Sequence, residues 1–276
     1  MKQLISQGKQ IAFVGAHNAF IAKLVQRAGF DGVYISGAGL SNSHAAPDTG
    51  ILQLEDFCYA GRFISRAVSV PVLADADTGF DDAAKTVREY IAAGISGLHL
   101  EDQVFPKRCG HLDGKEVVDA VEMEEKIRAA VKSRDALNKD FLIIARTDAR
   151  GAMNVEEGGQ FAESVRRGQA YLEAGADAIF PESMRSVEEF RTYCKEVSGP
   201  LLANMTEFGK SPFITAAEFH DIGYQIVIFP VTMFRYLAGC AASGLETLRK
   251  DGNQRNMVSD MLPRTEINKI LDYEAK

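Results

Sequence analysis

Four stretches of this sequence repeat one rhythm: RAGFDGVYIS, AAGISGLHLE, EAGADAIFPE and HDIGYQIVIFP each pass from a helix-like end through a glycine into a short apolar run. Gly29, Gly94, Gly175 and Gly223 stand where a helix would stop, because glycine enters the left-handed conformation that closes a helix without a side-chain clash. The Val, Ile, Leu and Phe runs that follow lack polar alternation and read as strands buried on both faces. Each stretch is a helix-to-strand joint. Two further runs, VPVLADAD and GPLLANMTE, open on Pro71 and Pro200, where the start of a strand tolerates a missing amide hydrogen. With IAFVGAHN and DFLIIARTD they bring the total to about eight strands.

Between the strands lie amphipathic patterns such as DDAAKTVREYIAAG, MEEKIRAAVKSRDAL and EGGQFAESVRRGQAYLEAG, with acids in their first turns. A βα unit repeated about eight times predicts a closed (β/α)8 barrel of the TIM type rather than an open doubly wound sheet. No Pro/Ser-rich linker or change of composition interrupts the chain, so residues 1–276 are expected to form a single domain. Its helical tail, from about residue 231 to 276, would pack outside the barrel or on a neighbouring subunit. A formal net charge of −7 argues against nucleic acid or an anionic membrane as a partner and leaves small acids or proteins. The start, MKQLISQGKQIAFVG, has no long apolar segment, so a cytoplasmic location is expected. Cys58, Cys109, Cys194 and Cys240 are scattered and suit neither a disulfide framework nor a zinc cage.

In such a barrel the C-terminal strand ends form one rim, where distant residues surround one ligand. Those ends carry Ser36-Gly37-Ala38, Asp75 and Asp77, Glu101 and Asp102, Arg146 and Asp148, Glu182, and Asn204 with Thr206 and Glu207. Asp75 and Asp77 share a parity, as do His99 with Glu101 and Arg146 with Asp148, so each pair is expected to point the same way. Crowded carboxylates require raised pKa values, an arginine or a bound cation, and oxygen ligands without a His/Cys set favour Mg2+ or Mn2+ over zinc. The plainer alternative has DAD capping a helix and ARTD forming a structural salt bridge.

The loop EDQVFPKRCGH sets Cys109 between Lys107, Arg108 and His111, where cationic neighbours stabilise a thiolate and Gly110 and Gly114 let the backbone move as a lid. That suits a mobile acid or base, or a set of cations for an anionic substrate; equally, the loop is solvated and its cysteine incidental. Ser36-Gly37-Ala38-Gly39 offers backbone N–H groups to a carboxylate or phosphate, or is simply a tight turn.

With YISGAG, LADADTGF, LHLEDQVFPKRCGH, IARTDA, FPES and NMTEFG in this order, the chain resembles the isocitrate lyase/phosphoenolpyruvate mutase superfamily over nearly its whole length. KRCGH is similar to the lyase branch, and TEFGKSP and FPVTMFRYLAG to the members that act on 2-methylisocitrate. The resemblance implies Mg2+-dependent cleavage of that tricarboxylate to pyruvate and succinate in propionate catabolism, by a homotetramer whose C-terminal helices are swapped between subunits. Asp75 and Asp77 would hold the metal, with Glu101 and Asp48 as outer groups. Ser36, Gly37, Ala38 and Arg146 would bind the hydroxy-carboxylate end, and Cys109 would donate a proton to the other fragment. Glu182, Asn204, Met205, Thr206, Arg235, Arg264 and Gly110 would complete the substrate contacts. The hydroxyl proton would pass to Tyr34, to a rim carboxylate or to a metal-bound water. Ala38 and the HLDGKEVV segment depart from the usual pattern, which leaves room for cleavage of 2,3-dimethylmalate, other 2-alkylmalates or oxaloacetate. Phosphonate chemistry fits Cys109 less well, and a barrel that only binds dicarboxylates is the non-enzymatic alternative.

Overall fold

Eight parallel strands close on themselves in a computed structural model that describes residues 1–2, 5, 7–108 and 110–273. They are β1 (Ile11–Gly15), β2 (Gly32–Ile35), β3 (Val72–Asp75), β4 (Gly97–Glu101), β5 (Leu142–Thr147), β6 (Ala178–Pro181), β7 (Leu202–Asn204) and β8 (Ile226–Phe229). The hydrogen-bonded order is β6-β5-β4-β3-β2-β1-β8-β7, and a parallel bridge between Ile179 and Leu201 joins its two ends. The expected barrel is therefore formed. Pro71 directly precedes β3, and all four anticipated helix-stop glycines have positive φ, between 81° at Gly94 and 112° at Gly223.

Alternation along each strand divides the core in two. Leu73, Leu142, Ile144, Phe180, Leu202 and Ile228 fill the barrel interior, whereas Val33, Ala74, Leu98, Ile143, Ile179 and Ala203 pack outward. The outer layer consists of α1 (Ala19–Arg27), α2 (Gly37–Ser43), α3 (Leu54–Ala67), α4 (Ala83–Ala92), α5 (Ala120–Leu137), α6 (Gln160–Glu173), α7 (Val187–Glu196) and α8 (Ala216–Ile222). Short polar side chains start several of these helices by satisfying amides that have no acceptor within the helix. Asn18 accepts from Ile21 N, and Thr215 and Glu218 form a reciprocal box at α8. The Ser36-Gly-Ala-Gly segment opens a short helix rather than a tight turn, because Ser36 caps it by accepting from Gly39 N, which outweighs the weak helical preference of its glycines.

After β8 the chain forms α9 (Thr232–Asp251), a 3-10 turn (Arg255–Asp260) and α10 (Arg264–Ile270), so the tail has one more element than the two helices expected. None of the residues of α9 is buried, and Tyr236 and Leu245 are each 67% exposed. No helix among the described residues is long and apolar enough to cross a membrane.

The seam between β1 and β8 has little spare room. A Cβ placed on Gly15 would lie 1.8 Å from the Pro230 carbonyl oxygen, which is main chain and cannot rotate away. Gly15→Ala is expected to cost ~3 kcal/mol of stability, measured as the urea midpoint followed by circular dichroism. A wild-type midpoint would show that the seam yields at this point.

Candidate active site

The inward parity of six strands, followed to the C-terminal end or one step past it, delivers a polar residue to the mouth of the barrel. Tyr34 leads to Ser36 on β2, Leu73 to Asp75 on β3, His99 to Glu101 on β4, Ile144 to Arg146 on β5, Phe180 to Glu182 on β6 and Leu202 to Asn204 on β7. A cavity at this mouth is lined by Tyr34, Ser36, Ala38, Asp48, Asp75, Arg146, Glu182, Asn204, Thr206 and Arg235, and it is covered by Lys107, Arg108, Gly110 and His111. Gly37, Asp77 and Glu101 lie just behind that lining. Asp75 accepts from Gly37 N at 3.2 Å, while Asp77 and Glu101 pair with Lys107 and Arg146. The amides of Gly37 and Gly39 are therefore already engaged, by Asp75 and by the Ser36 cap, and the segment meets the cavity through Ser36 and Ala38.

Met205 and Arg264 do not line the cavity. Met205 follows the inward-facing Asn204 and so points outward, into the outer core, where its sulfur accepts from Ile214 N at 3.5 Å. Arg264 starts α10 and is exposed. Cys109 lies outside the described residues.

Arg146 organises one wall. Its Nε and Nη2 donate to the two oxygens of Asp148 at 2.8 and 3.1 Å, and it also faces Glu101 Oε2 at 3.2 Å and Glu182 Oε2 at 3.3 Å. Burial opposes its charge, but the three carboxylates outweigh burial and raise its pKa well above the usual arginine value. Burial likewise opposes charge on Glu182, yet Arg146 and His111 hold its carboxyl well below the ordinary range. Glu101 goes the other way: burial, with repulsion from Asp148 and Asp75, raises it well above the ordinary range despite Arg146.

The opposite wall is acidic and carries its own cation. Lys107 Nζ sits 2.6 Å from Asp77 Oδ1 and 2.7 Å from Asp48 Oδ1. Burial, reinforced by Asp75, raises Asp77 to about 6 in spite of Lys107. Asp75 is lowered: burial resists its charge, but His99, Lys107, Arg146 and the Asp77 N–H together prevail. His99 itself is pushed down to about 4 by burial, so at neutral pH the weight falls on Lys107 and Arg146. The uncharged His99 shares a hydrogen bond of 2.6 Å between its Nε2 and the Tyr34 hydroxyl, and burial, with Asp75, raises that phenol well above its usual value.

Both oxygens of Glu101 and Oδ1 of Asp77 are buried without a well-aligned hydrogen bond among the described residues, although Arg146 Nε stands 3.2 Å from Glu101 Oε2 and Lys107 Nζ faces Asp77 Oδ1. Such oxygen-only groups suit a hard divalent cation. No group of three or more His, Cys, Asp or Glu side chains among the described residues forms a ready-made cluster, and Lys107 already joins two of the acids.

The lid rises from a fixed neck. Gln103 bridges Val117 in antiparallel fashion, flanked by Val104 N donating to Glu116 O and Val118 N donating to Asp102 O, both at 2.9 Å. Above the neck, the Gln103 side chain donates to Arg108 O and accepts from Arg108 N, each at 2.9 Å. His111 accepts at Nδ1 from Lys210 N at 3.0 Å, which leaves its Nε2 proton facing Glu182 Oε1 at 3.0 Å. A Cβ on Gly110 would lie 2.3 Å from Arg146 Nη2, so a side chain there would hold the lid off the rim.

Sequence reasoning did not single out Gln103, Ser183 or Lys115. Lys115 is fully buried and pairs with Asp148 at 2.9 Å, and Asp148 N donates to Asp102, whose other oxygen accepts from Arg167 and Tyr171. Lysine in a polar loop normally reads as solvated, and no local pattern marks one that turns inward.

Residues 1–249 match the family model for phosphoenolpyruvate phosphomutase. The chain is 44% identical over 276 residues to 2-methylisocitrate lyase from Aeropyrum pernix, covering 99% of this chain and 86% of that protein. It is 42% identical over 279 residues to 2,3-dimethylmalate lyase from Eubacterium barkeri, covering 99% and 93%. A crystal structure of phosphonopyruvate hydrolase in complex with oxalate and Mg2+ superposes with a TM-score of 0.86 at 33% identity, covering 98% of this chain and 93% of that one.

Asp148→Ala would leave the Arg146 guanidinium and the Lys115 ammonium buried without their shared partner. The expected loss is about 3–5 kcal/mol in urea unfolding, and a loss below about 1 kcal/mol would show that Glu101 and Glu182 suffice for Arg146.

Proposed function

This chain belongs to the phosphoenolpyruvate mutase/isocitrate lyase family, and we propose that it is a carbon–carbon lyase that cleaves 2-methylisocitrate to pyruvate and succinate by a retro-aldol-type reaction. The observation that carries this reading is the meeting, in one cavity beneath a lid, of a buried guanidinium with a facing pair of carboxylates. Arg146 lines one side, Asp48 and Asp75 the other, and Gly110 and His111 cover both. Relatives named for this substrate support it.

In this reading the hydroxy-carboxylate end of the substrate lies between Ser36, Ala38 and Arg146. Tyr34 is a neutral phenol committed to His99, so it orients the substrate hydroxyl and does not take its proton; that proton leaves toward the carboxylate wall. As the O–H electrons become the carbonyl of pyruvate, the C–C bond breaks and its electron pair stays on the succinate fragment. Cys109 supplies the proton that quenches it, with the lid excluding competing water. Asp75 and Asp77 would hold Mg2+ or Mn2+, with Asp48 and Glu101 outside them, and the ion when bound would stabilise charge developing on the pyruvate-forming oxygens. Glu182, Asn204, Thr206 and Arg235 complete the pocket.

Residues 1–276 would act as one catalytic domain in a cytoplasmic homotetramer serving propionate catabolism. The uncovered α9 is consistent with exchange of C-terminal helices between subunits. A second reading, cleavage of 2,3-dimethylmalate, is favoured by one contact. Arg235, a rim cation available to a third carboxylate, is already paired with Glu207 at 3.0 Å.

Cleavage measured with Mg2+ as pyruvate from 2-methylisocitrate and 2,3-dimethylmalate, glyoxylate from isocitrate and oxalate from oxaloacetate should favour the first. Preference for dimethylmalate would establish the second reading, and no cleavage of any would reject both. Chelation with EDTA should abolish turnover and Mg2+ restore it. Cys109→Ser should lower turnover by about a hundredfold or more while substrate binding survives, as general acids contribute on this scale. Undiminished turnover would remove Cys109 from the reaction.

A further inference from the structure

Glu182 is followed, at the end of FPES, by a serine that does not line the cavity. Ser183 has φ 63°, a left-handed conformation that is costly for a residue with a side chain, and it is 2% exposed. Its two donors face different partners. The amide donates to Glu182 Oε1 at 2.8 Å, and the hydroxyl donates to the Gly110 carbonyl oxygen at 2.6 Å, joining positions 73 residues apart. Gly110 lies so close to Arg146 and Glu182 that no side chain fits there, so a grip on it has to be a grip on its main chain.

The near side of the lid is held in the same manner. Gln103 engages both the N–H and the carbonyl of Arg108 at 2.9 Å. The residues on either side of position 109 are thus each held through the backbone by a side chain from outside the lid, Gln103 in the neck and Ser183 just after β6. Lys107 with Asp48, and Lys210 with Asp113, are instead ion pairs between side chains.

We propose that Ser183 is a positioning residue, whose hydroxyl clamps the Gly110 carbonyl and so sets the lid peptide that adjoins Cys109. Its catalytic meaning rests on the lid-acid mechanism above; the clamp itself rests only on the Ser183–Gly110 hydrogen bond. The left-handed turn aims the hydroxyl at the lid while its amide fixes Glu182, so one strained residue serves both the rim and its cover. Loss of a hydrogen bond of this type shifts a closed–open balance by about five- to tenfold.

Ser183→Ala and Ser183→Gly both remove the hydroxyl; the first keeps the backbone strain and the second relieves it, which guards against a variant that merely fails to fold. Ligand-free protein is treated with trypsin, and fragments ending at Lys107 are followed by mass spectrometry. Lys107 is buried in the closed lid, so its cleavage reports opening. Both variants should be cut there about fivefold faster than wild type, with no matching increase elsewhere in the chain. In the pyruvate-release assay kcat should fall about fivefold with KM little changed. Wild-type cleavage rates in both variants, or faster cleavage spread over the whole chain, would overturn the clamp. Faster lid cleavage with unchanged kcat would overturn the positioning role. If Cys109→Ser retains turnover, the lid-acid mechanism fails separately, and the tryptic comparison still decides the clamp.

Discussion

A single guanidinium sets the conditions for everything at this rim. Arg146 is buried among Asp148, Glu101 and Glu182, and its charge allows two of the three to remain anionic in a place that would otherwise protonate them. Without it, Glu182 could not serve as acceptor for Ser183, His111 and Asn204, and the lid would have no anionic seat. The neutralisation is not local. Lys115 and Asp102 extend it from Asp148 to Arg167 and Tyr171 on α6, so a charge at the mouth is balanced through buried partners reaching the outer helical layer. Dismantling one member strands the others in a medium that solvates them poorly, whereas the intact set holds geometry.

Much of the fold was legible because two local rules agree throughout the chain. Glycine closes a helix where the next apolar run begins, and doubly buried runs cannot pair as an exposed antiparallel sheet. Strand parity then placed Asp75, Arg146, Glu182 and Asn204 at one mouth, as the cavity lining bears out. Parity also shows why Met205 points away, although it stands between two cavity residues. The Ser36 segment, which reads as free amides at a strand end or a tight turn, is a short helix because one capping hydroxyl outweighs the glycines beside it.

The contacts that sequence did not disclose are nearly all long-range. Lys107 reaches back 59 residues to Asp48, and Ser183 reaches 73 to Gly110. Neither has a periodic signature, because a loop folded over a barrel mouth chooses its partners from the whole rim. Positive φ at Ser183 and Asp77 is likewise invisible in a serine and an aspartate, which most often occupy ordinary backbone.

The antiparallel neck between Asp102–Val104 and Glu116–Val118 separates the lid mechanically from the barrel. Exposed residues of the segment it encloses, outside the buried Lys107 and Lys115, can change while β4 and α5 stay joined by the same short ladder. Such an arrangement makes the cover an exchangeable cassette: chemistry and substrate range can be revised there while the eight-stranded frame is inherited unaltered.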